Sequence, residues 1–506
     1  MQDTMPATAG SRAGQREWLG LAVLALPTLL VAMDVGALFL ALPRLSNDLG
    51  ATASQQLWIT DIYGFMLAGF SVTMGTLGDR IGRRRLLLIG AAAFTATSVL
   101  AAWSTSAVML IAARALLGVA GATLSPSTLA LISNMFRDER RRNLAISVWA
   151  GCLFGGSAAG PVVSGFMLAH FWWGSVFLLG VPVMALLLVT GPLLLPEYRH
   201  PGAGRLDPAS VALSLAAILP VTYGIKRLAA EGATGGATAP ALAAIAAGVA
   251  FGALFLRRQL RLDDPLVDLR LFGRPAIRGM LPAMMVASAA LAGTSLMSTQ
   301  YVQSVAGLSP ERSGLLQAPT GVGIAAGTLL APVLLRWLRP LTAIVGGLVC
   351  SAVAVLVVTQ AGPTGWLPAV VVCVAVAALG VGPVFALGTG MVVGSAPPEK
   401  AGSAASLAET SNVFGATLGL ALLGSLGAAV YRHGMAGTAR AWVPAPARET
   451  VAAATAAVGH LASGPAAELR AVAGVAFTHG MNAVAAAGTV LFVLAALLVV
   501  TALRRR

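Results

Sequence analysis

Two long apolar stretches near the beginning of the chain each contain an aspartate. Asp34 lies in the first, which covers about residues 18–43, and Asp61 lies in the second, which covers about 54–77. A carboxylate in hydrocarbon costs about 2.5 to 3.5 kcal/mol even on lenient membrane-insertion scales. A chain keeps such groups only where they have a use, so the fold must give both acids a partner or a ligand.

The composition indicates an integral membrane protein. Hydrophobic residues make up 57% and charged residues 10% of the 506 residues, and the mean hydropathy is +0.83. The apolar runs exceed the roughly 18 residues that a spanning helix needs, and they lack the alternating pattern of β-barrel strands. We therefore expect an all-α, multi-pass membrane protein.

The net charge of +14 raises the question of nucleic-acid binding. Most of the 33 Lys and Arg residues, however, fall in segments that are cytoplasmic if the N-terminus is cytoplasmic. This positive-inside bias predicts cytoplasmic termini, with membrane lipids and no nucleic acid as partners of the basic segments. The three cysteines lie singly in apolar stretches, so neither a metal site nor a disulfide is expected.

About fourteen transmembrane helices fit the chain, as two six-helix bundles plus two additional helices. Gly-Thr-Leu occurs at 75–77 and again at 327–329, which supports two related units. The predicted organisation is a cytoplasmic tail at 1–17, a first bundle at 18–195, a linker with two inserted helices at 196–275, and a second bundle at 276–506. That second bundle includes an extracellular loop at 432–475, in which a weak surface helix is predicted at 447–462.

Charged residues are rare inside the predicted helices, where we find Asp34, Asp61, Arg114 and Glu409. Asp34 and Arg114 lie at similar depth, which predicts an ion pair that holds Asp34 ionised until a proton or a substrate cation competes for it. The alternative is a static buried salt bridge. Glu409 begins a polar patch that ends at Asn412, and we predict that it is protonated during turnover, with helix packing as the alternative.

Asp61 stands between two aromatic residues, Trp58 and Tyr63. Ring faces and a carboxylate both attract positive charge, so this turn is a predicted binding site for a lipophilic cation. Glu409 and Asn412 complete the predicted substrate-binding set. Asp61 could instead be a polar residue that lines a water-filled outer vestibule.

Two glycine-containing motifs are candidates for conformational roles. The fifth helix has glycines that let two backbones approach closely and a proline that adds a kink, so it serves either packing alone or a hinge between the bundles. The turn at 75–85 needs glycine for a tight reversal, while its acid could cap a helix and its arginines could meet lipid phosphates. In the simpler alternative, the basic residues of this turn only set the orientation of the chain in the membrane. The candidates are Gly75, Asp79, Arg80, Gly82, Arg83, Gly156, Gly160 and Pro161.

Enzyme signatures are absent from the sequence, including the GxSxG, Walker, HExxH and calcium-loop patterns. We therefore expect no catalytic residue and no cofactor. Without a nucleotide-binding motif in the chain, an ion gradient would have to drive any uphill transport.

Together these motifs resemble the fourteen-helix drug:proton antiporter branch of the major facilitator superfamily. The turn from Gly75 to Arg84 is similar to the superfamily's signature, and Asp34 to Pro43 is similar to the branch's first-helix motif. Arg114-xxx-Gly118 and Gly156-xxx-Gly160-Pro161 are similar to the fourth-helix and fifth-helix motifs of antiporters.

The resemblance implies a major facilitator fold and a monomer in the bacterial cytoplasmic (inner) membrane. Such a protein exports lipophilic cations, for example quaternary ammonium antiseptics and dyes, and takes up protons as the coupling ion. The resemblance places proton coupling on Asp34, Arg114 and Glu409, and cation recognition on Asp61. Relatives that handle divalent cations tend to have further acids. Here Ala408 precedes Glu409, and the predicted tenth helix at 311–335 has no acid within the membrane, so the resemblance implies monovalent rather than divalent substrates.

Two other functions stay open on this sequence. A dedicated exporter of a single natural product or antibiotic would keep the fold and have a narrow substrate range. A sensor or a lipid-handling scaffold would keep the membrane helices without transport.

Overall fold

The computed structural model describes residues 14–51, 53–199, 207–231, 238–262, 265, 269–308, 310–397, 401–438, 442–459 and 461–503, and the side chains of Asp61 and Pro161 lie outside this description. The described residues form seventeen α-helices, numbered in chain order. The first nine are α1 Gln15–Leu49, α2 Ala53–Ile81, α3 Arg83–Ala102, α4 Ala107–Met135, α5 Glu139–His170, α6 Ser175–Leu178, α7 Gly180–Leu194, α8 Pro208–Glu231 and α9 Thr238–Gln259. The others are α10 Pro275–Gln300, α11 Pro310–Leu334, α12 Pro340–Val358, α13 Leu367–Ser395, α14 Ala401–Thr438, α15 Ala445–Glu449, α16 Val451–Val458 and α17 Ser463–Leu503.

Most of these helices can cross a membrane. Among the described residues, 12 helical segments are long and apolar enough to do so, with α6 and α7 counted as one. The helices α2 and α5 are not among them, but their 29 and 32 residues exceed the roughly 20 that a bilayer requires. Adding these two to the 12 confirms the predicted fold class, with about fourteen crossings.

Each bundle has its own hydrophobic core. One core is formed mainly by α1 to α7 and includes Leu24 and Phe94. The other is formed by helices from α10 to α17 and includes Met284 and Phe492. The two inserted helices, α8 and α9, lie between these bundles in the sequence, as expected, whereas the domain boundaries stay predictions.

The two bundles meet at the end of the molecule that carries the turn between α2 and α3 and the start of α5, which we call the basic end. Here Val393, Ala401 and Ala405 of α13 and α14 pack into the core of the first bundle. A Cβ at Gly390 would lie 3.1 Å from Asn143 Oδ1 of α5. Along their sides, the bundles touch through α2 with α14 and through α5 with α11.

The inserted helices form a hairpin that covers one of these sides. The helices α8 and α9 pack on each other, and α8 also contacts both α2 and α14. Gly69 of α2 faces two leucines of α8, and a Cβ at Gly69 would lie 3.0 Å from Leu219 Cδ2 and 3.2 Å from Leu215 Cδ2. The seam between α2 and α14 is therefore closed by α8.

A polar network joins the start of α8 to the end of α9, both of which lie at the basic end of the molecule. Arg258 donates to both carboxylate oxygens of Asp207, at 2.7 and 3.1 Å, and the Ser210 hydroxyl donates to the same carboxylate at 2.7 Å. The hydrogen bonds from Arg258 and Ser210 hold the pKa of Asp207 well below its usual range. Gln259 donates to Ser210 at 2.8 Å, so the hairpin is held together at this end.

The segment 432–475, predicted as a loop, is largely helical where the structure describes it. α14 continues to Thr438, and α17 begins at Ser463, in a stretch with several alanines, which favour helix strongly. The predicted surface helix at 447–462 corresponds to α15 and α16. The Tyr431 hydroxyl donates to the Ala447 carbonyl at 2.8 Å, which ties α15 to α14. At the other end of the chain, α1 already begins at Gln15, and residues 1–13 of the predicted tail lie outside the description.

Candidate functional site

The acid of α1 and the arginine of α4 lie together inside the first bundle. Arg114 Nη1 and Asp34 Oδ2 form an ion pair, and the exposed fractions of these side chains are 1% and 11%. Arg114 Nε also donates to the carbonyl oxygen of Ile59 in α2, at 3.3 Å. The structure thus brings the two predicted residues together, and their contact links three helices.

Tyr63 of α2 covers this ion pair. Its ring centroid lies 4.7 Å from Arg114 Cζ, a cation–π distance, and only 2% of the residue is exposed. Its buried hydroxyl has no hydrogen-bond partner among the described residues. Tyr63 therefore belongs with the ion pair, and its contact with substrate stays a prediction.

The helices α5 and α1 approach so closely that two glycines of α5 leave no room for a side chain. A Cβ at Gly160 would lie 2.6 Å from the carbonyl oxygen of Met33, and one at Gly156 would collide with the carbonyl oxygen of Leu29. Met33 immediately precedes Asp34 in α1. These glycines thus fix the position of the turn that carries the buried acid.

Glu409 of α14 faces a cavity between the two bundles. The cavity is small, and α4, α5, α13 and α14 line it, with Trp149 and Phe385 as its large side chains. No residue in the described part of the chain donates a hydrogen bond to Glu409 or pairs with its charge. Asn412, one turn further, lines the same cavity and accepts a hydrogen bond from Ser288 of α10 at 3.3 Å.

Sequence reasoning missed Trp149. Its indole Nε1 donates to Thr128 Oγ1 of α4 at 3.0 Å, which fixes the ring at the wall of the cavity. The only signal in the sequence is a tryptophan about two turns before Gly156 of α5. A tryptophan at that position is equally consistent with packing, so the sequence alone does not indicate that Trp149 lines a cavity.

Trp58 lies elsewhere, at the seam between α2 and α8. Its indole stacks on the ring of Tyr223, with centroids 5.9 Å apart and an interplanar angle of 15°. The edge of Phe65 meets it at 6.2 Å and 88°. The backbone places Asp61 one turn further along α2. Trp58 and Tyr63, grouped together in the sequence, thus contact different helices.

The signature turn between α2 and α3 consists of one residue. This residue, Gly82, has a φ of 111°, a conformation that residues with side chains rarely adopt. Asp79 forms an ion pair with the fully buried Arg83 across the turn, where the sequence suggested a helix cap. Gly75 and Arg80 are buried as well. Glycine is therefore required here by the backbone itself.

The chain that follows α7 closes over this turn, which sequence reasoning did not anticipate. The Arg83 amide donates to the carbonyl oxygen of Tyr198 at 3.0 Å, and the Arg84 amide donates to Glu197 Oε1 at 3.2 Å. Glu197 Oε1 lies 2.6 Å from where a Cβ at Gly82 would be. The only signal was an acid placed soon after the sixth helix. Gly82 is thus needed for its φ, and Glu197 would have to shift from the backbone amide of Arg84 to make room for a Cβ.

Gly82→Ala is expected to destabilise the protein by about 1 to 3 kcal/mol from the strained backbone, with a further loss from the contact with Glu197. Thermal unfolding in detergent measures this as a lower Tm. Gly365→Ala is the matched control, because Gly365 has a φ of 78° and no atom within 4 Å of a Cβ there. Equal shifts in Tm for the two variants would contradict the contribution of the Glu197 contact.

Comparison with known proteins identifies the family of the chain. The model of the Major Facilitator Superfamily matches residues 24–420. The multidrug efflux pump LfrA of Mycolicibacterium smegmatis is 41% identical over 499 residues, which cover 98% of each chain. The methyl viologen resistance protein SmvA of Salmonella typhimurium is 36% identical over 419 residues, covering 81% of this chain and 82% of that protein.

A solved structure shares the fold. The crystal structure of the human organic anion transporter MFSD10 (TETRAN) superposes with a TM-score of 0.65 over 96% of this chain and 99% of that chain. At 15% identity this likeness concerns the fold alone. The family match over most of the chain and the two-bundle fold show that the chain belongs to the major facilitator superfamily, a family of membrane transporters rather than enzymes.

Proposed function

We propose that the protein is a proton-coupled antiporter that exports lipophilic, mainly monovalent cations by alternating access. Asp34, Arg114 and Glu409 carry the proton coupling, and Asp61 with Trp58 recognises the cation. The protein works as a monomer in the bacterial cytoplasmic membrane, with both termini in the cytoplasm. It uses no cofactor, and protons are its coupling ion.

Glu409 is the observation that carries the proposal. Its carboxyl group faces the cavity between the bundles, and no described residue supplies a counter-charge. An ionised carboxylate with little access to water requires a cation. A proton or a cationic substrate can meet that requirement in turn, and their exchange at one acid is the basis of antiport.

The relatives support drug export, and the contacts between the bundles support alternating access. LfrA is a multidrug efflux pump and SmvA a methyl viologen resistance protein, which supports a drug exporter. With the orientation that the positive-inside bias predicts, the basic end is cytoplasmic, so the structure is closed on that side. A proton that enters down a potential of 100 mV yields about 2.3 kcal/mol, and a monovalent cation that leaves against it costs the same, so one-for-one exchange is driven by the pH gradient alone.

A transport assay with purified protein in liposomes tests the proposal. Ethidium, a monovalent lipophilic cation, is expected to accumulate against its gradient when a pH gradient is imposed, and an uncoupler is expected to stop this. Accumulation that persists with the uncoupler would contradict proton coupling. Failure to exchange any cation for protons would favour the sensor or scaffold, and protection against very few compounds in growth tests would favour a dedicated exporter.

Asp61→Asn is expected to slow the export of cationic dyes by about tenfold, because the site loses its attraction for positive charge. Neutral dyes of similar size should change less, and initial efflux rates of one dye of each kind measure the difference. Asp48→Asn is the control, since it makes the same change at an exposed acid near the end of α1. An equal loss for both dyes would contradict cation recognition by Asp61.

A further inference from the structure

The inserted helix α8 shares an aromatic cluster with α2. Tyr223 of α8 stacks on Trp58, and Phe65 meets Trp58 edge-on. We call Trp58, Phe65 and Tyr223 the aromatic seam. Trp58 is 37% exposed, so the aromatic seam is partly open rather than buried in a core. Ring faces that are open in this way can receive a cation.

The aromatic seam already holds a cation that belongs to the protein. Arg227, one helical turn after Tyr223, has its Cζ 5.8 Å from the centre of the Tyr223 ring. Its Nη1 also donates a hydrogen bond to the Tyr223 hydroxyl. The hydrogen bond to the hydroxyl thus holds the guanidinium at the edge of the Tyr223 ring, so a positive charge of the protein lies directly beside the aromatic seam.

Helix geometry places these residues away from the basic end. Tyr223 lies about 12 Å before the end of α8 and Trp58 about 8 Å after the start of α2, at a rise of about 1.5 Å per residue. Arg227 lies between Tyr223 and that end of α8, whereas Asp61 lies one turn deeper than Trp58. Along this face of the molecule, a cation near Asp61 and the guanidinium of Arg227 thus lie on either side of the aromatic seam.

We propose that Tyr223 and Arg227 of the inserted hairpin set the charge selectivity of transport: Tyr223 extends the cation-binding surface of Trp58, and Arg227 competes with the substrate for it. This inference rests on the proposed export of cations. The repulsion between Arg227 and a substrate grows with the charge of the substrate. Dications are therefore disfavoured more than monocations.

Packing alone is the competing explanation for the same contacts. Stacking between Trp58 and Tyr223 would hold α8 against α2, and Arg227 would only satisfy the Tyr223 hydroxyl. That role predicts changes in stability and in the amount of active protein, but it predicts no change in the ratio of two substrates. The ratio of KM values for a dication and a monocation is therefore the informative quantity, because it does not depend on how much protein is active.

The test uses methyl viologen as the dication and ethidium as the monocation, with full-length protein in liposomes. Arg227→Gln is expected to lower the KM for methyl viologen about fivefold and that for ethidium about twofold at most. Tyr223→Phe keeps the ring but not the hydrogen bond to Arg227, so it should shift the KM ratio in the same direction by a smaller factor. Tyr223→Leu removes the ring and should raise both KM values.

Lys226→Gln is the matched control, because it removes one positive charge from the neighbouring position in α8. The KM ratio of this variant should stay near that of the wild type. An unchanged KM ratio in Arg227→Gln, or an equal shift in Lys226→Gln, would overturn the inference. The proposed function fails in a different way, since the wild type would then show no uncoupler-sensitive transport of ethidium at all.

Discussion

Asp34→Asn is expected to abolish proton-coupled efflux and to destabilise the protein by about 3 to 5 kcal/mol. Without the carboxylate, the guanidinium of Arg114 stays buried with neutral partners, namely the new amide oxygen at position 34, the Ile59 carbonyl and the Tyr63 ring. A buried charge without a counter-charge makes the loss large. Uncoupler-sensitive ethidium transport and thermal unfolding in detergent measure the two effects separately.

The double variant Asp34→Asn/Arg114→Gln separates coupling from stability. It removes both charges, so its Tm is expected to recover towards the wild-type value while coupled efflux stays absent. A static salt bridge predicts the opposite outcome for transport, namely a stable double variant that still couples efflux to protons. That outcome would remove Asp34 from the proposed mechanism.

Two adjacent glycines of α5 are expected to respond in opposite directions to the same substitution. Gly156→Ala drives a Cβ into the backbone carbonyl of Leu29, which cannot rotate away as a side chain could. The overpacking costs about 1 to 3 kcal/mol. A Cβ at Gly155 meets no atom within 4 Å, so Gly155→Ala should stabilise the helix by up to about 1 kcal/mol.

We expect the two variants to differ in transport as they differ in stability. The Cβ of Gly156→Ala would push away the part of α1 that leads to Met33 and Asp34, and this displacement weakens the contact between Asp34 and Arg114. We therefore expect Gly156→Ala to lose most ethidium efflux and Gly155→Ala to keep it. Normal efflux and normal Tm in Gly156→Ala would show that the position of Asp34 does not depend on this close approach.

The sequence predicts the helices well because a chain that crosses a bilayer must satisfy its backbone hydrogen bonds within each segment. The apolar stretches at about 18–43 and 54–77 are observed as α1, Gln15–Leu49, and α2, Ala53–Ile81. The pair of Asp34 and Arg114 can also be predicted from the sequence. Charges are so sparse within the membrane that each has few candidate partners.

Contacts that depend on how distant segments dock could not be predicted in this way. Trp58 and Tyr63 are five residues apart, which turns an α-helix by about 500°, so they lie on different faces of α2. Nothing in the local pattern reveals that α8 is the helix that meets Trp58. Glu197 is a similar case, because its contact with Gly82 exists only once the chain after α7 folds back over the turn.

The hairpin of α8 and α9 has a mechanical consequence, since α8 rests on one helix of each bundle. If the bundles rotate against each other, α8 can follow only one of them. We expect the close fit of Gly69 against Leu215 and Leu219, with the stacking of Tyr223 on Trp58, to keep it with α2. The inserted pair then moves together with the first bundle, and the second bundle slides along the face of α8 that touches α14.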